Sequence, residues 1–173
     1  MHIEGSCHCR KVRFTAFADA PAPYMYCYCS ICRKTAGGFG GGINIRASAD
    51  TLRVEGMEHV RAYQPHLGHD ANGEDRGVGS GRRHFCAHCG SALWASDPRW
   101  AQWVYPHASA IDTELPPAPA RDHIFVADKP AWVEAPTAGE RERMFEAYPN
   151  ESLEDWHRAR GLFEEPDLGS GGK

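Results

Sequence analysis

Polar and apolar residues tend to alternate along this chain, in short runs. The runs are "KVRFTAF" (Lys11–Phe17), "GGINIRA" (Gly41–Ala47), "TLRVEG" (Thr51–Gly56), "VRAYQP" (Val60–Pro65), "RRHFC" (Arg82–Cys86), "ALWAS" (Ala92–Ser96), "QWVYPHAS" (Gln102–Ser109) and "HIFVA" (His123–Ala127). Most are bounded by Gly, Pro, Asp or Ser. Such boundaries around runs of this length predict strands, and their number predicts a mainly β fold of antiparallel sheets. Helical signals are scarce before residue 140. One short C-terminal helix is expected over Asn150–Arg160, with Asn150 as N-cap, acids early, basic residues late and Gly161 as the stop. The glycine-rich stretch His66–Gly81 reads as a mobile loop, and Glu114–His123 as a proline-stiffened connection.

The chain has 173 residues, enough for one compact domain, read here as 1–165, followed by a flexible tail at 166–173. Apolar residues are 42% and charged ones 24%, the balance of an ordinary globular protein. A net charge of −4 and a pI near 6.2 argue against a nucleic-acid partner. No apolar run is long enough to span a membrane, and "MHIEGSCHC" does not read as a signal peptide. The expectation is a cytoplasmic chain with reduced thiols. Nothing in the sequence sets an oligomeric state.

Seven cysteines change this picture. They fall as "CHC" (Cys7, Cys9), "CYCSIC" (Cys27, Cys29, Cys32) and "CAHC" (Cys86, Cys89). Clustered cysteines in a reducing compartment favour metal binding or catalysis over disulfides. The first and last pairs together supply four thiolates, which is a closed structural zinc site, with Gly90 easing the bend at the second pair. The middle group supplies three ligands, and an open fourth position is the mark of a catalytic zinc. Two Zn²⁺ ions per chain are therefore expected. A histidine such as His59, His84 or His107 could instead complete the second site. A redox role for "CSIC" or "CAHC" needs a thioredoxin-like βαβ unit, and no helix is evident after either motif.

The segments "GSCHCRKVRF", "CYCSICRKTAGG", "RRHFCAHCGSALW" and "HIFVADKPAWV" resemble the glutathione-dependent formaldehyde-activating enzyme family, also called the centromere-protein-V family. The resemblance runs from about Gly5 to Trp132 and includes all seven cysteines. It implies a β-tent fold with a zinc clip, a structural zinc on Cys7, Cys9, Cys86 and Cys89, and a catalytic-type zinc on Cys27, Cys29 and Cys32. It also implies a carbon–sulfur lyase that forms S-(hydroxymethyl)glutathione. Fold does not fix function, so a non-catalytic zinc-stabilised binding or scaffold module of the same fold is the alternative.

An open three-thiolate zinc is soft and suits a thiol as fourth ligand, which it would ionise for addition to formaldehyde or a similar small aldehyde. The expected partner is thus a small thiol such as glutathione. Arg33 and Lys34 are candidates to pair with its carboxylates, or else form a solvated surface pair. The run "TAGGFGGG" (Thr35–Gly42) lets the backbone approach a ligand, or is a flexible turn. Trp94, Trp100, Trp103 and Trp132 are expected to pack the sheet core. His107, Asp112 and His123 are candidate proton donors to the developing alkoxide, with a structural role as the plainer reading of each.

Overall fold

The computed structural model describes residues 1–36, 38–134 and 136–165. In chain order its elements are β1 (His2–Ser6), β2 (Arg13–Phe17), β3 (Met25–Cys27), α1 (Ser30–Ala36), β4 (Gly42–Ile43), β5 (Ala47–Ser48), β6 (Arg53–Glu55), β7 (Val60–Tyr63), β8 (Arg82–Cys86), β9 (Ala92–Ser96), β10 (Trp103–Pro106), β11 (Arg121–Ile124), β12 (Glu142–Phe145) and α2 (Leu153–Arg158). The strands build three sheets, ordered β1-β2-β6, β5-β10-β9-β8-β7 and β12-β11-β3-β4. The fold is mainly β, as the alternation predicts. The tail expected at 166–173 lies outside the described residues.

The period-two rule is visible in β1, where His2 and Glu4 face solvent while Ile3 and Gly5 are buried. The main core joins the first two sheets through Ile3, Val12, Phe14, Ile45, Leu93, Trp94 and Val104. A second cluster stacks Tyr24 on Trp156, ring centroids 3.7 Å apart, and so seats α2 against the chain. The N-cap of α2 is Ser152, not Asn150; its hydroxyl accepts from the Asp155 N–H at 3.0 Å. Gly161 then takes a φ of 65° and ends the segment.

Several boundaries differ from the expectation for local reasons. Gly41–Ala47 divides into β4 and β5, because Asn44 and Arg46 form single bridges to different neighbours. The third sheet is mixed: β11 runs parallel to both β3 and β12. His66–Gly81 is a bonded hairpin extension of β7 and β8, with bridges His66–Val78 and His69–Asp75. Trp94 is buried and Trp103 half-buried, but Trp100 is 46% and Trp132 69% exposed. Neither sits on a strand: Trp100 ends a short 3-10 helix and Trp132 lies in a turn, and Trp100 lies beneath the Arg99 guanidinium.

Candidate metal centres and the polar wall between sheets

The four-cysteine cluster forms where the loop after β1 meets the β8–β9 turn. Both knuckles use the same backbone device. Gly90, directly after Cys89, has φ 75°, and its N–H bonds the Cys86 carbonyl at 2.8 Å. Arg10, directly after Cys9, has φ 60°, and its N–H bonds the Cys7 carbonyl at 2.8 Å. The sequence shows the glycine but gives no sign that an arginine takes the same strained conformation. The Val12 N–H donates to Cys7 Sγ at 3.2 Å. The Ser91 hydroxyl, 3.2 Å from Cys89 Sγ, is the first cause holding that thiol down to about 5.

Zinc bound by four thiolates at about 2.3 Å sets sulfurs roughly 3.8 Å apart. The Cys7–Cys9 and Cys9–Cys86 sulfurs lie 3.5 and 3.8 Å apart, and all four lie within 4.8 Å of one another. The donor set therefore fits a tetrahedral soft cation.

The three-cysteine cluster straddles the end of β3 and the first turn of α1. Cys27 closes the strand, Cys29 precedes the helix, and Cys32 faces inward from it. Cys29 Sγ accepts from the Cys32 N–H at 3.4 Å, tying the bend to the helix start. No helix was expected here; with seven residues, no acid in its first turn and a cysteine ahead of it, α1 lacks the usual start signals. It does not make a thioredoxin-like unit, because β3 and β4 on its two sides pair antiparallel. The glycine run has a packing role instead: a Cβ on Gly41 would come within 2.9 Å of the Cys27 carbonyl, and one on Gly42 within 3.5 Å of Cys32 Cβ. The neighbouring strand is thus held against the cysteine loop.

The three sulfurs lie within 4.8 Å of one another, and among the described residues no His, Asp, Glu or fourth Cys joins them at that distance. The histidine-completed alternative finds no support in this geometry. Hydrogen bonds accepted from Cys27 and then Cys32 pull the Cys29 thiol down to about 2, while its partnership with Cys29 pushes Cys27 well up. Two of the three sulfurs are buried and that of Cys29 is half-buried, and proximity makes Cys29 the readiest of them to lose its proton. That arrangement suits replacement of the thiol protons by a cation.

The three candidate proton donors separate cleanly. His123 is buried and saturated: Nδ1 meets the Tyr28 hydroxyl at 2.8 Å and Nε2 meets Glu142 at 2.8 Å. Asp112 is exposed, away from the three sulfurs, and lines surface clefts beside β1. His107 is 2% exposed, and neither ring nitrogen has a partner. Burial, reinforced by Arg83, lowers its pKa to about 4, so it is neutral at physiological pH.

Arg33 and Lys34 line a cleft of about 380 Å³ together with Ser91 and Ser109. None of Cys27, Cys29 and Cys32 lines it. Two residues not singled out from the sequence do approach the three sulfurs. Asn44 directs Nδ2 at Cys32 Sγ, 3.9 Å away, and Arg83 is near enough for its charge to reach Cys32. Asn44 lies in a stretch with no ligand signature. Arg83 stood in the sequence only as one residue of the run "RRHFC".

Fold and site together define a class: a mainly β chain whose seven cysteines, all unpaired, gather into two clusters able to hold metal ions. Residues 2–128 match the family model of glutathione-dependent formaldehyde-activating enzymes. A Halomonas elongata protein provisionally named a glutathione-dependent formaldehyde-activating enzyme is 49% identical over 164 residues, which are 95% of this chain and 99% of that one. A crystal structure of a Rhodobacter sphaeroides protein superposes with a TM-score of 0.49 at 23% identity, covering 65% of this chain and 91% of that chain. The chain belongs to the glutathione-dependent formaldehyde-activating enzyme family. No helix among the described residues is long and apolar enough to cross a membrane.

Proposed function

We propose that this chain is a zinc-dependent carbon–sulfur lyase of the S-(hydroxymethyl)glutathione synthase type, working in the cytoplasm as a single β-tent domain over residues 1–165. The observation that carries this reading is the Cys27/Cys29/Cys32 cluster, with three sulfurs within 4.8 Å and no fourth His, Cys, Asp or Glu ligand among the described residues. A zinc ion held there would supply a soft open position that takes a substrate thiol and ionises it. Cys7, Cys9, Cys86 and Cys89 would hold a second, structural zinc that pins the start of the chain to the β8–β9 turn.

In the addition, a thiolate sulfur pair forms the C–S bond to formaldehyde. The carbonyl π pair moves to oxygen, which takes the proton the thiol gave up. Cys27, Cys29 and Cys32 act as holders and not as nucleophiles. Arg33 and Lys34 suit the carboxylates at the far end of a peptide thiol, because the cleft they line starts one residue beyond Cys32. The test is exchange of ¹³C-formaldehyde with glutathione, followed by NMR on zinc-loaded protein. Exchange should run well above the uncatalysed rate and return to it in Cys29→Ser. Equal exchange in both proteins would move the reading to a zinc-stabilised binding module.

A further inference from the structure

Among the described residues, seven buried side-chain nitrogen and oxygen atoms have no hydrogen-bond partner. Two of them, Tyr24 Oη and Trp156 Nε1, belong to the single ring stack beneath α2. The other five are Arg33 Nε, Asn44 Oδ1, Arg83 Nε and both ring nitrogens of His107. Leaving a buried polar group unpaired is costly, so such groups are rare unless something else satisfies them. Four of the five sit on one face of one sheet. Arg83 and Tyr105 are both paired with Ala95, so all three point the same way. His107 follows Tyr105 by two residues and returns to that face. Asn44 is bridged to His107 and joins it there. This face looks onto the three-cysteine cluster, since Asn44 Nδ2 reaches Cys32 Sγ at 3.9 Å.

The unpaired atoms have definite needs. Asn44 Oδ1 needs a donor. Arg83 Nε needs an acceptor, best an anionic one. Neutral His107 offers one donor and one acceptor in either tautomer. Arg83 and Asn44 are only half-buried, so the wall opens toward solvent on one side. A bare alkylthiol would satisfy none of these groups.

We propose that Asn44, Arg83 and His107 form the specificity wall of the thiol site, reading the amide N–H beside the substrate sulfur and a carboxylate on the C-terminal side of the cysteinyl unit. The ligand class is an N-acylated cysteinyl thiol. Arg83 takes the carboxylate, Asn44 takes the amide N–H, and His107 bridges between the two. This rests on the thiol-binding reading above, but it assigns the discrimination to residues that hold no metal.

The test is calorimetric titration of zinc-loaded protein with three probes: N-acetylcysteine, N-acetylcysteamine, which lacks the carboxylate, and S-methyl-N-acetylcysteine, which lacks the thiol. Wild type should bind N-acetylcysteine at least tenfold more tightly than N-acetylcysteamine, and should still bind the S-methyl compound weakly. Arg83→Met should erase the tenfold preference while N-acetylcysteamine binding stays within twofold. Arg83→Lys, which keeps the charge and loses the Nε donor, should fall between them. Zinc content and thermal melting check that each variant is folded. An undiminished preference in both Arg83 variants overturns the wall. Loss of N-acetylcysteamine binding from wild type, with the S-methyl compound still bound and Arg83-dependent, overturns the thiol reading and leaves the wall standing.

Discussion

The two cysteine clusters use the same donor atoms and differ in what surrounds them. Around Cys7, Cys9, Cys86 and Cys89 the polar groups are satisfied: two matched turns, an amide on Cys7 and a hydroxyl on Cys89. Around Cys27, Cys29 and Cys32 they are not, with Asn44, Arg83 and His107 holding buried atoms unpaired. The first cluster joins segments 77 residues apart, and none of the described residues with an unpaired buried side-chain atom belongs to its two knuckles. The second sits within one strand-to-helix bend and faces a wall of unmet donors and acceptors. A satisfied site is a clip, and an unsatisfied one is a place for a ligand.

This contrast fixes what should happen when each part is disturbed. Cys86→Ser, or a strong chelator, removes the clip. Structural zinc contributes roughly 10–16 kcal/mol, comparable to the whole stability of a small domain, so the chain should unfold at 25 °C by circular dichroism. Cys29→Ser should instead leave the fold melting within a few degrees of wild type, with exchange activity down about a hundredfold or more.

His107→Leu should separate stability from function. Removing an unpaired buried imidazole should stabilise the fold by about 1–2 kcal/mol in urea titration at pH 7.5 while thiol affinity falls. The same variant has a pH signature. In the fold burial lets His107 protonate only at about 4, against 6.5 for an unperturbed imidazole. Between those values the unfolded chain binds the extra proton, so stability present at neutral pH is lost as the pH falls through this window, by roughly 3 kcal/mol in all. The leucine variant should show a shallower acid limb. The smallest effects lie in the knuckles. Gly90→Ala should destabilise by about 1 kcal/mol, and Arg10→Gly should stabilise by a similar or smaller amount, because only glycine adopts positive φ without strain. Thermal melts of the zinc-loaded proteins check both.

Most strands of the two antiparallel sheets were readable because their alternation is one-sided; β8 and β9 match the expected runs residue for residue, whereas β1 was not among those runs. The mixed sheet was readable only in part. Met25–Cys27 and Glu142–Phe145 are three and four residues long, too short to show alternation, and Met25 finds its partner Asp122 far along the chain. The cysteine grouping was readable because ligand spacing is written in the sequence. The polar wall was readable only at His107. Asn44 and Arg83 acquire meaning from sheet register, which brings residues 39 positions apart onto one face.

The most direct measurement is native mass spectrometry of the zinc-loaded chain with glutathione, for wild type and Cys29→Ser. The account predicts two zinc ions and one glutathione on wild type, and one retained zinc with no glutathione on the variant. A wild type that holds a single zinc while Cys27, Cys29 and Cys32 are freely alkylated, or a glutathione adduct unchanged by Cys29→Ser, would contradict it.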